Sequence, residues 1–397
     1  MKILMLSNNY VDKSRGGVEL HVYNLARELS ARGHDVHVVR TSPGASLYDD
    51  LGTVPMTAVI GHRSSRSFVR LRRIFPIPAV RFVANFLARV LNAIHAAREL
   101  KSLRDRYEFD IIHHHDFVTS VLLGIMLKGL PARHVWTNHL GEFLYLRKTP
   151  LIGRQLTRLM TKVFTQGMAP SKELVDQEYA SCPMTYIPNG VDVERFHPAT
   201  LRERDEIRLK WNFVGERIVV IPRRWAPTKG VIYAAQAILT SSWPGQSLAV
   251  FAGASESDFP EYSAEIRGLL EDDEHSSVLE TLSADEMSEV LRAADVCVIP
   301  SLMEATSLSA LEAMASAIPI VGTTVGGLPE LLSNRPDCRL VRPRDPQELA
   351  TAVAELCNLS QPDRDSFGLE TRNFVVQNYS WAHIASEAEN VYKAALN

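Results

Sequence analysis

Short apolar runs, each followed by a polar loop and then by a stretch with helical periodicity, recur along nearly all of this 397-residue chain. That alternation is the pattern of parallel sheets covered by helices on both faces. KILMLS (2–7) predicts a strand, NNYVDKSRGG a loop, VELHVYNLARELSAR an amphipathic helix closed by Gly33, and DVHVV the next strand, which together make one β-loop-α-β unit. Further strands are predicted at DIIHHH (110–115), HVWTNH (134–139), RIVVIP (217–222), LAVFAG (248–253), DVCVIP (295–300) and IPIVG (318–322). The length suits two domains of about 200 residues each. IPNGVDVERFHP (187–198) carries turn chemistry and falls between the two strand sets, so the junction is placed there.

Cysteine usage and apolar run length limit the setting. Cys182, Cys297, Cys338 and Cys357 are scattered, with no C-x-x-C pair, which points away from a zinc site or a disulfide framework and towards a reducing, cytoplasmic location. MKILMLSNNY is too short an apolar stretch for a signal peptide, and no uninterrupted apolar run of membrane-spanning length occurs. The net charge of -3 hides an uneven distribution: from Arg63 to Arg106 there are eleven Lys or Arg against two acids, Glu99 and Asp105. Pro78 is placed to open a helix there, with Val80, Val83, Phe86 or Leu87, Val90 and Ile94 at helical spacing. A second basic run, LRKTPLIGRQLTRLMTKVF (146–164), holds five cations and no acid. Aromatic residues are not interleaved for base stacking, so nucleic acid is not expected as a partner. An anionic membrane surface is the expected one, which makes the protein peripheral on the inner face of the cytoplasmic membrane. A core helix with a solvated arginine edge is the competing reading.

Ligands of open α/β sheets bind outside the carboxyl ends of the strands, so the loops after the strands are where chemistry is expected. Gly16 and Gly17 sit in such a loop just before a helix, whose N-terminal amides suit an anion. No G-x-G-x-x-G is present, which argues against a nicotinamide or flavin enzyme. The arrangement repeats in the second half, where DVCVIP runs into SLMEATS and then a helix. Thr306 or Ser307 is placed to cap it, leaving the Ser307 and Leu308 amides for an oxyanion. Glu304 then lies in the loop and Glu312 inside the helix. A glycosidase pair would need a fixed carboxyl separation that sequence does not give. RRWAPTKG (223–230) decides between the readings by adding Arg224 and Lys229 just after another strand. Two cations, helix-end amides and two carboxylates suit an anionic leaving group attached to a polyol: cations hold phosphates, and carboxylates accept from sugar hydroxyls.

At these residues the chain resembles the retaining glycosyltransferases of family 4, whose GT-B architecture has two Rossmann-like α/β domains. Glu304 to Glu312 matches the family's E-x7-E motif, continued by EAMASAIPIVGTTVGGLPELL. IPNGVDVERF is similar to its interdomain segment, RWAPTKG to its phosphate-binding loop, LSADEMSEVLRAADVCVIPS to the run before the motif, and NYSWAHIASEAENVYKAAL to its closing segment. The resemblance implies an acceptor-binding domain over 1–190, a nucleotide-sugar-binding domain over 191–378, and a closing helix over 379–397 that returns to the first domain. It implies that Arg224 and Lys229 bind the donor diphosphate, assisted by amides at Gly16, Gly17, Ser307 and Leu308. Glu312 would bind the ribose, Glu304 the donor-sugar hydroxyls, and His115 would hydrogen-bond the donor sugar. It also implies no metal and no cofactor beyond the nucleotide diphosphate sugar as co-substrate, with a hexose moved to a lipid-linked or cell-envelope saccharide acceptor.

The chain departs from the family pattern at Arg223, Ser307, Ala317, Glu280 and Ser255, each of which stands where glycine is frequent. His139 reads as a packed loop histidine. In HHHD at 113–116 only His113 and His115 share a strand face, and a metal site is not expected there. Two other functions fit the same fold: a GT-B nucleotide-sugar epimerase, and a membrane-associated binding protein with an inactive site.

Overall fold

The computed structural model describes the chain apart from residues 8–16, 41–55, 59–86, 88, 92, 95, 99, 102–107, 116–117, 130, 140–149, 177–179 and 255–258. Gly16 and most of the basic segment from Arg63 to Arg106 therefore lie outside the described residues, as does the expected start of a helix at Pro78. Helical residues are described between 87 and 101. The chain divides into two compact units, Met1–Pro188 with Ile384–Asn397, and Asn189–His383.

The first unit is built on a seven-stranded sheet of β1 (Lys2–Ser7), β2 (Asp35–Arg40), β3 (Met56–Ala58), β4 (Ile111–His114), β5 (Arg133–Thr137), β6 (Gln166–Ala169) and β7 (Met184–Tyr186). Its order is β3-β2-β1-β4-β5-β6-β7, and every pairing is parallel. The second unit has six strands: β8 (Arg217–Pro222), β9 (Ser247–Ala254), β10 (Ser276–Glu280), β11 (Val296–Ile299), β12 (Ile320–Thr323) and β13 (Cys338–Val341). Their order is β10-β9-β8-β11-β12-β13, again all parallel. Both units are thus doubly wound α/β structures, as the alternation of runs predicts. In each, the strand order reverses next to the first strand, between β1 and β4 and between β8 and β11. A crevice opens at such a switch point outside the carboxyl ends of the strands.

Burial on both faces explains why the central strands read as unbroken apolar runs. In β8 and β11, Ile218, Val220, Cys297 and Ile299 enter one core, while Val219, Ile221, Val296 and Val298 enter the core on the opposite face. In the first unit Leu4, Leu6, Val39 and Ile112 pack on Ala93, Ala96 and Leu100. Beneath the second sheet, the buried carboxylate of Asp295 receives Arg204, Arg208 at 2.7 Å, and the Ile218 amide at 2.7 Å. That tie fixes the helix Leu201–Lys210 to the start of β11.

The helix Trp381–Leu396 begins among second-unit residues and continues into the first unit. Within the first unit it is held by polar contacts. Arg32 Nε and His34 Nε2 lie 2.6 and 2.9 Å from Glu389 Oε1, and the Tyr392 hydroxyl is 2.8 Å from His113 Nδ1. Among the described residues no helix is long and apolar enough to cross a membrane.

Candidate functional site

In the second unit the loops after β8 and β11 meet. After β8, a single 3-10 turn, Pro227–Lys229, ends at Gly230, whose left-handed backbone (φ 66°) turns the chain into the helix Val231–Ile238. A Cβ at Gly230 would stand 1.9 Å from the Pro300 carbonyl oxygen, so only glycine lets the two loops approach this closely. The Thr228 carbonyl then accepts hydrogen bonds from the amides of Leu302 and Met303, at 2.9 and 3.2 Å. This backbone tie brings Lys229 to Glu304, with Nζ 3.0 Å from Oε2 and 3.2 Å from Oε1.

Arg223 completes the cluster. Its guanidinium pairs with Glu304, donates to Ser301 Oγ at 2.9 Å, and reaches Ser307 Oγ and Ser309 Oγ at 3.4 Å. It is buried, and Glu304 accepts from Arg223, Lys229 and Ser301 together. Burial alone would raise the Glu304 pKa, but the charges of Arg223 and then Lys229 outweigh it and hold the group below the ordinary glutamate value. Lys229 is shifted down as well, by burial first and by the like charge of Arg223 second, against the pull of Glu304. The outcome is a fixed anion gripped by two cations, with Arg224 exposed beside them.

Ser307 is the N-cap of the helix Leu308–Ala315; its Oγ accepts from the Ala310 amide at 3.3 Å. The first amides of a helix have no partner within it, so Ser307 and Leu308 offer N–H groups where the sequence places them. Glu312 sits in this helix, and burial raises its pKa to about 7 against opposing charges from Arg223 and Arg195. Gly326 and Gly327 support the Glu304 loop. The Gly327 amide donates to the Ala305 carbonyl at 2.9 Å, and a Cβ at Gly326 (φ 54°) would meet the Glu304 carbonyl oxygen at 1.7 Å. The glycine pair is therefore the bed beneath the carboxylate loop.

In the first unit, His115 follows β4 directly, and its amide donates to the Leu6 carbonyl at 3.0 Å. Gly17 opens the helix Gly17–Ala31. The His113 and buried His115 rings share one face, as the strand alternation predicts, with 4.0 Å between ring centres, but His113 is committed elsewhere. Both His113 nitrogens are engaged, Nε2 with Thr137 Oγ1 at 2.7 Å and Nδ1 with the Tyr392 hydroxyl at 2.8 Å. His114 points to the other face and pairs with His134 at 2.9 Å. His115 Nδ1 instead lies 3.2 Å from His139 Nε2, and His21 joins them from the first turns of its helix. Burial drives the His115 pKa well below its ordinary value, and neighbouring imidazoles add to the effect; burial does the same at His139. Both rings are therefore neutral at pH 7.

Sequence reasoning places Lys229, Glu304 and Ser307 where the structure brings them together. It assigns no role to Arg223, because the residue's partners, Ser301, Glu304, Ser307 and Ser309, lie 78 to 86 positions away. His21 and His139 are equally silent in the sequence, one on a helix and one in a loop.

Family models match stretches in both units. Residues 15–195 match Glycosyltransferase Family 4, and residues 215–358 match Glycosyl transferases group 1. The MMP alpha-(1->4)-mannosyltransferase of Mycolicibacterium hassiacum is 28% identical over 100% of this chain and 98% of its own length. Among solved structures, sucrose-phosphate synthase from Thermosynechococcus elongatus superposes with a TM-score of 0.77 at 19% identity, covering 99% of both chains. Anabaena HepE, solved with UDP and glucose, gives 0.75 at 17% identity over 99% of this chain and 100% of its own. With two doubly wound sheets, a cationic cluster at the second switch point, and both halves matched by glycosyltransferase models, the chain belongs to the family 4 glycosyltransferases of the GT-B fold.

Proposed function

We propose that this glycosyltransferase moves a hexose-type sugar from a nucleotide diphosphate sugar to a lipid-linked or cell-envelope saccharide, with retention and without a metal. The observation that carries the reading is the half-buried cluster of Arg223, Lys229 and Glu304 beside the capped helix end at Ser307. Cations and amides fixed before the reaction are the groups that stabilise a departing diphosphate without reorganisation. Lys229 and Arg224 hold the diphosphate, with the Ser307, Leu308, Gly16 and Gly17 amides. Glu312 takes the ribose, and Glu304 and His115 take the sugar hydroxyls. The bond from the anomeric carbon to the diphosphate breaks as one to the acceptor hydroxyl forms on the same face, and the hydroxyl proton leaves with the diphosphate. The second unit takes the donor and the first the acceptor. HepE's complex with UDP and glucose supports a nucleotide sugar as donor, and the mannosyltransferase relative supports a hexose.

Membrane attachment is part of the proposal, with the protein cytoplasmic and peripheral. The helix Pro150–Thr161 exposes Leu156 (42%) and Leu159 (63%) together with Arg154 and Arg158, apolar and cationic side chains on one helix that suit an anionic headgroup layer. Each cation near such a surface contributes about 1 kcal/mol.

The decisive measurement is transfer with a panel of uridine and guanosine diphosphate sugars. Turnover that persists in EDTA and needs an acceptor supports the reading. Strict dependence on a divalent ion, or conversion of the donor without any acceptor, overturns it, the latter in favour of an epimerase. Flotation with anionic liposomes, comparing wild type with Arg154→Glu, Arg158→Glu and with Arg70→Glu, Arg72→Glu, Arg73→Glu, tests attachment; unchanged flotation in both removes it.

A further inference from the structure

We infer that His21, His115 and His139 form a binding site for a transition-metal dication of the zinc type, and that filling it inhibits the transferase. The three rings come from separate elements: the helix Gly17–Ala31, the residue after β4, and the loop after β5. One nitrogen of each lies within 4.8 Å of the other two. The separation of 3.2 Å between His115 Nδ1 and His139 Nε2 is already that of two zinc ligands. Bonds of 2.0–2.1 Å in tetrahedral geometry place neighbouring nitrogens about 3.3 Å apart. Closing the third side takes a movement of roughly 1.5 Å by the His21 ring to reach that separation.

The chemistry of the pocket suits a borderline metal and no other. Three imidazoles, each neutral when it ligates, present lone pairs that zinc, cobalt, nickel and copper accept, whereas magnesium requires oxygen ligands. His115 carries a second buried nitrogen, Nε2, with no hydrogen-bond partner among the described residues. The His113 ring lies against His115, tilted by 44° with 4.0 Å between ring centres, and is itself fixed by Thr137 and Tyr392.

Inhibition rests on the proposed contact between His115 and the donor sugar; metal binding does not. Once His115 Nδ1 is committed to an ion, Nε2 must carry the ring proton, so the ring has no lone pair left to accept from a sugar hydroxyl.

The test is cobalt(II) titration of the full-length, untagged protein, read by visible absorption. Wild type and the exposed-histidine control His275→Asn are expected to bind one cobalt ion with the strong ligand-field bands of a four-coordinate site. Zinc should displace it and magnesium should not. His21→Asn and His139→Asn should each weaken binding at least tenfold. His139→Cys should restore it with a thiolate-to-cobalt charge-transfer band, which a merely misfolded variant would not show. No ligand-field band in wild type, or equal affinity in His21→Asn, His139→Asn and the control, overturns the site. Zinc bound at one equivalent without loss of transfer overturns the inhibitory half. Absence of transfer with every donor would instead remove the proposed function, and the cobalt spectrum alone would then decide the metal site.

Discussion

Lys229 Nζ lies 3.0 Å from Glu304 Oε2, so the cation assigned to the diphosphate and the carboxylate assigned to the sugar position each other before any substrate arrives. Lys229→Ala is expected to lower turnover about 100 to 1000 fold, the usual cost of one preorganised charge-stabilising group. Because Arg223 still holds Glu304, the melting temperature should change by only a few degrees. Steady-state kinetics beside thermal unfolding check both. A large loss of stability with modest loss of turnover would make Lys229 structural.

Arg223 separates the two roles in the opposite direction. Its removal leaves Glu304 with one cation and deprives Ser301, Ser307 and Ser309 of their shared donor. The folded Glu304 pKa lies below the ordinary 4.5, so the stability it contributes is present above that value and is lost as pH falls through the folded pKa. In Arg223→Ala that loss should begin at a higher pH, moving the acid limb of the rate profile upward. Arg223→Lys should not restore the wild-type profile, because an ammonium lacks the planar fork that spans four partners.

Glu312 gives a pH signature of opposite sign. Its folded pKa is raised to about 7, so its contribution to stability is complete below 4.5 and is lost as pH rises through about 7. Glu312→Gln is therefore expected to gain on wild type as pH rises, by on the order of 2 kcal/mol above neutrality. Ribose hydroxyls need the carboxylate as acceptor, so nucleoside diphosphate affinity should increase through the same range and release a proton. Calorimetry in buffers of different ionisation heat reads that proton directly. Affinity that is flat from about pH 6 to about pH 8 would contradict it.

Gly326→Ala tests the bed beneath the carboxylate loop. The added methyl would stand 1.7 Å from the Glu304 carbonyl oxygen, in a backbone conformation with φ 54°. The loop must move, and a displacement near 1 Å at a reacting group costs about 100 fold in rate. We expect turnover to fall by at least tenfold at saturating donor, measured beside the melting temperature.

Glu389 is the clasp of the final helix. Its pKa is lowered to about 2, chiefly by the Arg32 hydrogen bond, with His34 adding to the effect. A depressed carboxylate stabilises above its ordinary 4.5 and stops doing so as pH falls towards about 2. Glu389→Ala should cost about 2 kcal/mol, the usual value for hydrogen bonds to a charged group. Hydrogen exchange should quicken along Trp381–Leu396 before it does elsewhere.

The sequence exposes the centre of each sheet and hides its margins. β1, β8 and β11 lie inside their sheets, are buried on both faces and show as apolar runs, whereas β3, β6, β7, β10 and β13 lie at or next to a sheet edge. QGMA, MTY and SSVLE carry mixed composition in three to five residues, and only pairing with a neighbour makes them strands. The site divides in the same way. Lys229 and Glu304 are legible because each follows a readable strand at a switch point. Arg223, His21 and His139 gain meaning only from residues that the topology delivers from elsewhere in the chain.

The division of the chain has a consequence for its biosynthesis. Residues 384–397 pack with residues 1–188, whereas 189–383 form a unit of their own. A nascent polypeptide can thus finish the later-encoded unit while the earlier one still awaits the partner of Arg32 and the Tyr392 hydroxyl for His113. Completion in the cell runs out of order with translation, and the half that leaves the ribosome first is the half left waiting for its last segment.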